Sequence, residues 1–431
     1  MKKSFSNNRR LKSIFFLSSC VFVSLWPHFS KNRPPFIFLL IISFIVLFYG
    51  GWVILRNLRG SLIKAFTKYD FKGNFPPLDI LVAARDEQNV IARLVERLFN
   101  LDYPSDKLNI YIIDDGSIDG TSQILKDLSE KYEKLQIISR SKNAGGGKSG
   151  ALNDALRFSS GEWIFILDAD AQLKNDTLMR LLNFAYSGSW PAVQLRKSVI
   201  NANQNLLTKC QSIEMAMDAF FQLGRLTAAG VSELRGNGQL IKKDVLIGSG
   251  SFNEDTVTDD LDLSIRLLLS DSKIGILWNP PVMEEAVENI PALFAQRQRW
   301  AEGGLQRFFD YGSELIFGKL NIVEKFDLFY FFMLQYALPI ISLLDLCFSL
   351  VLFKSPVYWP ISITAFMLSA VASWYGSNRT QDGAISPKTN LLNLLIYLAY
   401  LSHWFLVIPF VTFKMSIFPK KILWKKTIHK G

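Results

Sequence analysis

Asp168 and Asp170 stand two residues apart in LDADAQL, at the end of an apolar run. A strand ending there aims both carboxylates at one point. A hard divalent cation carrying a substrate diphosphate is held by a sparse carboxylate set of this kind. The bland alternative is a polar turn closing a strand. Asp114 and Asp115 repeat the pattern in IIDDGSIDGT, where acceptors after a strand suit a base or ribose, or else cap a loop, with Asp119 capping the next helix. Asp259, Asp260 and Asp262 open an amphipathic stretch, VTDDLDLSIRL. Helix N-termini favour carboxylates in any case. The chemical reading is that one of them is a general base. His28, His403 and His429 all lie toward the ends of the chain, so the middle offers no His for a nucleophilic triad or a metal. A carboxylate is the base available there.

Two further stretches carry positive charge. KNAGGGKSGALN (142–153) looks like a phosphate loop, but Lys142 stands where a P-loop needs its first glycine. QRQRWAEGG (296–304) places Arg297, Arg299 and Trp300 together. Arginines can clamp a diphosphate and an indole can stack on a sugar. A basic amphipathic helix at a membrane surface has the same composition.

These residues need a frame. Residues 76–310 alternate apolar strand runs with helical periodicity: strands at 78–85, 107–117, 135–140 and 162–170, helices at 87–100, 119–132 and 149–158. Such alternation predicts an α/β fold with a mostly parallel sheet and a ligand at the carboxyl ends of its strands. Those ends carry Arg85-Asp86-Glu87, Asp114-Asp115, the glycine loop and Asp168–Asp170.

The chain has 431 residues, 49% hydrophobic, and a formal net charge of +10. The apolar excess sits at the two ends. The stretches 14–29 and 36–55 read as two anchoring helices, because no small-residue cleavage site is evident and the second follows at once. Lys and Arg before and after them (Arg9, Arg10, Lys12; Arg56, Arg59, Lys64, Lys68, Lys72) place the N-terminus and the middle of the chain in the cytoplasm. The stretches 327–353, 357–375 and 391–413 are apolar again, with Pro339 and Pro409 as candidate break points. Three crossings would put the six-lysine tail, 414–431, outside. One stretch is therefore expected to lie in the interface or turn back. The organisation expected is a membrane anchor at 1–72, a cytoplasmic domain at 73–310 and interfacial and transmembrane helices at 311–431, in a multi-pass membrane protein. The basic residues flank apolar segments, and no nucleic-acid motif is present. Three scattered cysteines support neither a disulfide framework nor a metal site.

IDDGS, NAGGGKSGALN, DAD, TDDLDL and QRQRW occur in the order and at spacings similar to those of family 2 inverting glycosyltransferases, which are membrane-bound and carry a GT-A nucleotide-sugar domain. The resemblance covers about residues 76–310. It extends to the processive branch (cellulose, hyaluronan and poly-N-acetylglucosamine synthases). Through RGNGQ (235–239), TDDLDL, QRQRWAEGGLQRFFDY (296–311) and the tail 415–431, it is closer to bacterial β-monoglucosyldiacylglycerol synthases. It implies a donor site for UDP-glucose made by Glu87, Asp114, Asp115, Lys148, Asp168, Gln296, Arg299 and Trp300, with Asp114 and Asp115 on the uridine. It implies Mg²⁺ or Mn²⁺ on Asp168 and Asp170, Asp260 as base, and diacylglycerol in the membrane as acceptor. Asp259 stands where the family usually has Glu. A polysaccharide synthase remains the alternative. A non-catalytic scaffold would have lost its acids, whereas Asp168, Asp170 and Asp260 are all present.

Overall fold

The computed structural model describes residues 6–29, 36–59, 74–379 and 389–418. Two helices open it, α1 (Ser6–Phe29) and α2 (Phe36–Arg59). The middle then alternates through β1 (Leu78–Ala84), α3 (Ile91–Phe99), β2 (Leu108–Asp114), α4 (Thr121–Lys131), β3 (Leu135–Ser139), α5 (Gly147–Phe158), β4 (Trp163–Asp168), α6 (Thr177–Ser187), β5 (Ala192–Val199), α7 (Leu206–Ala229), β6 (Gln239–Lys242), α8 (Lys243–Gly248), α9 (Asp259–Leu269) and β7 (Ile274–Glu284). It closes with α10 (Ile290–Phe317), α11 (Ile322–Phe332), a π-helical turn (Met333–Ala337), α12 (Leu338–Leu352), α13 (Trp359–Asn378), α14 (Leu391–Leu401) and α15 (Trp404–Ile417).

The seven strands form one sheet in the order β3-β2-β1-β4-β6-β5-β7. The pairs β1–β2, β1–β4, β2–β3 and β5–β7 are parallel, and β6 runs antiparallel to β4 and β5. β1 is buried along its whole length. That is why its sequence reads as an unbroken apolar run rather than an alternating one. One face of the sheet packs Ile80, Val82, Leu94 and Leu98 with Phe165 and Leu181. The other packs Leu81, Tyr111, Ile113, Leu152 and Ile166 with Leu263 and Leu267. The register pairs Ala84 with Asp114, and Ala83 with Asp168. Three strand ends and their acids thus finish at one edge of the sheet.

Among the described residues four helical stretches are long and apolar enough to cross a membrane: Asn8–Phe29, Phe36–Arg59, Ile322–Leu352 and Leu391–Ile417. The apolar stretch at 357–375 becomes α13, which is not one of them. It packs closely on α7 and α2: a Cβ on Gly376 would meet the Ala216 carbonyl at 2.6 Å, and one on Gly50 would meet Leu368 at 2.4 Å. Of the two prolines expected to break helices, Pro339 follows the π-helical turn. Proline has no N–H and its ring crowds the carbonyl four residues back, so a wider turn relieves the clash. Pro409 lies inside α15. The interruption falls instead at Ser402–His403, between α14 and α15. α10 runs as a single helix through residue 310, the expected edge of the middle domain. Lys64, Lys68, Lys72 and the tail beyond residue 418 lie outside the described residues.

Candidate active site

The glycine loop delivers Lys148 to the sheet edge. Gly145 and Gly146 take positive φ values, 77° and 70°, and α5 begins at Gly147. The Lys148 ammonium donates to Asp168 Oδ1 at 2.5 Å and to the Gly236 carbonyl at 3.2 Å. Burial works against its charge, but Asp168, Asp259 and Asp260 outweigh it and raise the lysine above its usual range. Asp170 is buried, and its Oδ2 accepts from the Glu285 N–H at 3.0 Å. Asp260 sits in the first turn of α9. Burial, and then the neighbouring Asp259, push its carboxyl above the ordinary aspartate range, with Lys148 pulling the other way.

A platform under these acids comes from residues 235–238. The Gly236 carbonyl faces Lys148, and the Asp168 N–H donates to Asn237 Oδ1 at 3.1 Å. Gly236 has φ 83°, and a Cβ there would stand 3.3 Å from Asp260 Oδ2. The position needs glycine both for its backbone and for the space the carboxylate takes. The sequence marked RGNGQ only through its resemblance, with no chemical role for its residues. Its two glycines two residues apart were the signal available.

Asp114 and Asp115 are buried beside this edge, and their carboxylates are engaged within the loop. Asp114 accepts from the Ser117 N–H at 3.0 Å and from the Ser122 hydroxyl. Asp115 pairs with Arg140 and lies 3.8 Å from Arg85. Arg140 also donates to Asp154 at 2.7 Å and to the Gly145 carbonyl at 2.9 Å. The arginine therefore ties the β2 end to the glycine loop. Glu87 follows β1, and its N–H donates to Thr121 Oγ1 at 2.7 Å.

α10 crosses in front of this edge and separates the two arginines of QRQRW. Gln296, Arg299 and Trp300 face the cavity described below. Arg299 is surrounded by Asp168, Asp260 and Asp259, and burial lowers it from the usual arginine range. Arg297 does not join it, which corrects the expectation that both arginines reach a diphosphate. Two residues along a helix is about 200° of rotation. Arg297 is fully buried, donates to Glu214 at 2.5 Å, and holds its guanidinium carbon 3.9 Å from the Trp300 ring centroid. Glu214 also accepts from Tyr400 at 2.7 Å and from the Trp404 indole at 3.0 Å. A second buried group joins Arg225 to Glu233 (3.1 Å) and Asp327 (2.8 Å), Arg235 to Asp218 (2.8 Å) and Glu233 (2.7 Å), and Arg307 to Glu233 (3.1 Å). None of these pairings was visible from spacing, because the partners are remote in sequence.

One cavity of about 830 Å³ joins the two parts of the molecule. Its polar end is lined by Glu87, Lys148, Asp168, Asp170, Asp260 and Arg299. Its other end runs among the terminal helices, where Leu334, Leu338, Phe366, Phe405 and Ile408 form its wall. Asp114 and Asp115 do not border it.

The middle of the chain, residues 79–248, matches the model of glycosyl transferase family 2. Over 360 residues the chain is 41% identical to the β-monoglucosyldiacylglycerol synthase of Synechocystis sp., covering 82% of this chain and 75% of that one. The chain belongs to glycosyl transferase family 2. Another relative is the poly-β-1,6-N-acetyl-D-glucosamine synthase of Staphylococcus epidermidis, 28% identical over 53% of this chain and 54% of that one. In fold, it resembles a mannosyltransferase from Pyrobaculum calidifontis in complex with GDP-Man and Mn²⁺. The TM-score is 0.58 at 20% identity, covering 78% of this chain and 97% of that one. This bears out the GT-A expectation for the sheet and its helices.

A glycosyltransferase of this family must meet the charge of a leaving nucleotide diphosphate. Lys148 and Arg299 supply cations at the polar end. Among the described residues no three His, Cys, Asp or Glu side chains cluster to hold a metal by themselves. Asp168 and Asp170 suit a cation whose other ligands are diphosphate oxygens and water, the usual arrangement for Mg²⁺.

Proposed function

We propose that the chain transfers glucose from UDP-glucose to the free hydroxyl of 1,2-diacylglycerol, with inversion, forming a β-monoglucosyldiacylglycerol. The cavity carries this reading. It has carboxylates and cations at one end and a wall of aliphatic and aromatic side chains at the other, interrupted by Gln335, Ser362 and Ser369. A lipid headgroup hydroxyl and a nucleotide sugar meet only in a space with both characters.

In this reading Asp260 takes the proton from the acceptor hydroxyl as its oxygen attacks the anomeric carbon. Attack comes from the face opposite the diphosphate, so the α-linked donor becomes a β-glycoside and UDP leaves. Lys148 and Arg299 stabilise the charge that develops on the diphosphate, a preorganised electrostatic role. Asp168 and Asp170 would hold Mg²⁺ or Mn²⁺, and the cation would supply positive charge beside the same phosphates. Asp114 and Asp115 shape the loop that receives the uridine, Glu87 and Gln296 border the donor, and Trp300 marks the boundary toward the acceptor. The catalytic part, 73–310, faces the cytoplasm between an anchor at 1–72 and the helices of 311–431. Were the four candidate spans among the described residues all to cross, the chain would return to the side on which it started, in keeping with the positive-inside rule for both basic ends.

The test is transfer in mixed micelles with radiolabelled UDP-glucose, 1,2-dioleoylglycerol and Mg²⁺, with products separated by thin-layer chromatography. A single β-linked glycolipid that requires diacylglycerol, and disappears when the cation is chelated, is the expected result. Label remaining at the origin as polymer, with or without diacylglycerol, would replace this reading with a processive polysaccharide synthase.

A further inference from the structure

We infer that the apolar arm of the cavity seats the glycerol ester region and first acyl methylenes of the acceptor, and that the lipid enters sideways from the bilayer between α13 and α15. The inference rests on the acceptor being a diacylglycerol.

Three helical segments build the arm. Leu334 and Leu338 come from the π-helical turn and the start of α12, Ala365 and Phe366 from α13, and Phe405 and Ile408 from α15. The turn matters because a π-helical segment swings successive side chains out of the α-helical stripe. Leu334, Gln335, Leu338 and Pro339 consequently all border the space. On the opposite side, Phe366 and Phe405 stack in parallel, with ring centroids 5.7 Å apart and 6° between planes.

The wall is thin at that stack. Phe366 and Phe405 both border the cavity. Their immediate neighbours Met367 and Leu406 are 59% and 54% exposed on the apolar outer surface. One layer of side chains thus separates the inside of the arm from the exposed apolar face of α13 and α15. Aromatic rings in such a layer are displaced by rotamer change without breaking any hydrogen bond. Volume points the same way. A cavity of about 300–1,000 Å³ encloses one drug-sized ligand. At about 830 Å³ the space admits a nucleotide sugar and the head of a lipid, not two full acyl chains. The chains must leave the arm, and the outlet with exposed apolar surface on its far side is the Phe366–Phe405 wall.

The full chain is reconstituted in nanodiscs with a diacylglycerol carrying a diazirine close to the ester on one acyl chain, irradiated, and mapped by peptide mass spectrometry. Label on residues of α13 and α15 that border the arm is expected, with competition by unlabelled 1,2-dioleoylglycerol. In parallel, Ala365→Trp and Ile408→Trp fill the arm. Each should raise the KM for dioleoylglycerol at least tenfold while moving the KM for UDP-glucose less than twofold. If a plugged variant does not fold, the labelling of the unaltered chain decides alone. Label confined to other helices, or an unchanged acceptor KM in folded plugged variants, overturns the inference. If the unaltered chain glucosylates no diacylglycerol at all, the proposed reaction fails. If it does so with neither labelling nor plugging effects, only the assignment of the arm fails.

Discussion

Lys148 Nζ lies 2.5 Å from Asp168 Oδ1, so the glycine loop and the end of β4 are joined by a half-buried charge pair. The same ammonium is felt by Asp259 and Asp260. In the proposed reading it serves the donor side, and its charge holds down the proton affinity of the proposed base. Lys148→Met should lower kcat/KM by about 10²–10³, the scale for losing one preorganised charge partner. It should also move the acid limb of the pH profile upward, because the cation that favours ionised Asp260 is gone. Profiles of kcat/KM for both forms test this. An unchanged limb would detach Lys148 from Asp260.

Asp260 gives the pH dependence its sign. Burial and Asp259 raise its carboxyl to about 6, and the base must be ionised to accept a proton. Activity should thus be present above this value and fall away as the pH drops through it. Stability runs the other way. A carboxyl raised in the folded state makes its ionised form a burden near neutral pH. Asp260→Asn should then cut transfer by about 10²–10⁴, the usual yield of a general base. It should leave the thermal midpoint at pH 7.5 unchanged or higher. UDP release and unfolding in detergent, measured on one preparation, separate loss of the base from loss of the fold.

Glu214 presents a different balance. Burial opposes its charge, yet Arg297 holds its carboxyl below the usual glutamate range. Removing one member of a buried pair leaves the other charge uncompensated, at a cost of about 3–5 kcal/mol. Glu214→Leu should lower the unfolding midpoint sharply, and Arg297→Met combined with it should recover most of the loss. A double variant no more stable than Glu214→Leu would show that Tyr400 and Trp404, rather than the arginine, depend on this carboxylate.

Gly236→Ala tests the platform. The substitution forces a side chain into φ 83° and brings its Cβ to 3.3 Å from the Asp260 carboxylate. Strain of this kind costs about 1–3 kcal/mol. We expect kcat to fall at least tenfold with the protein still folded, because the displaced group is Asp260 itself. Wild-type kcat in the alanine variant would mean the platform yields freely.

Much of this arrangement was legible in the sequence for a simple reason. β1, β2 and β4 are buried on both faces, so each prints as an apolar run, and the first polar residues after it mark the sheet edge. Asp114 and Asp168 were found in this way, and Lys148 through the glycine loop that precedes it. What hydrophobic periodicity cannot print is a pairing between remote segments. Arg297 and Arg299 look equivalent on the page, and only the packing of α10 against α7 and α14–α15 turns one to Glu214 and the other to the cavity. Asn237 supports Asp168 from 69 positions further along the chain. Pro409 was overvalued because a proline read alone signals a break, whereas α15 carries it within the helix.

Arg9, near the start of α1, donates to Asp310 at 2.8 Å and to the Asp255 carbonyl at 2.7 Å, in the loop that leads into Asp260. Arg9 precedes Asp310 by 301 residues, so one side chain fastens the start of α1 to α10 and to that loop. A chain in which α1 is not docked lacks this tether between the terminal helices and the loop before Asp260.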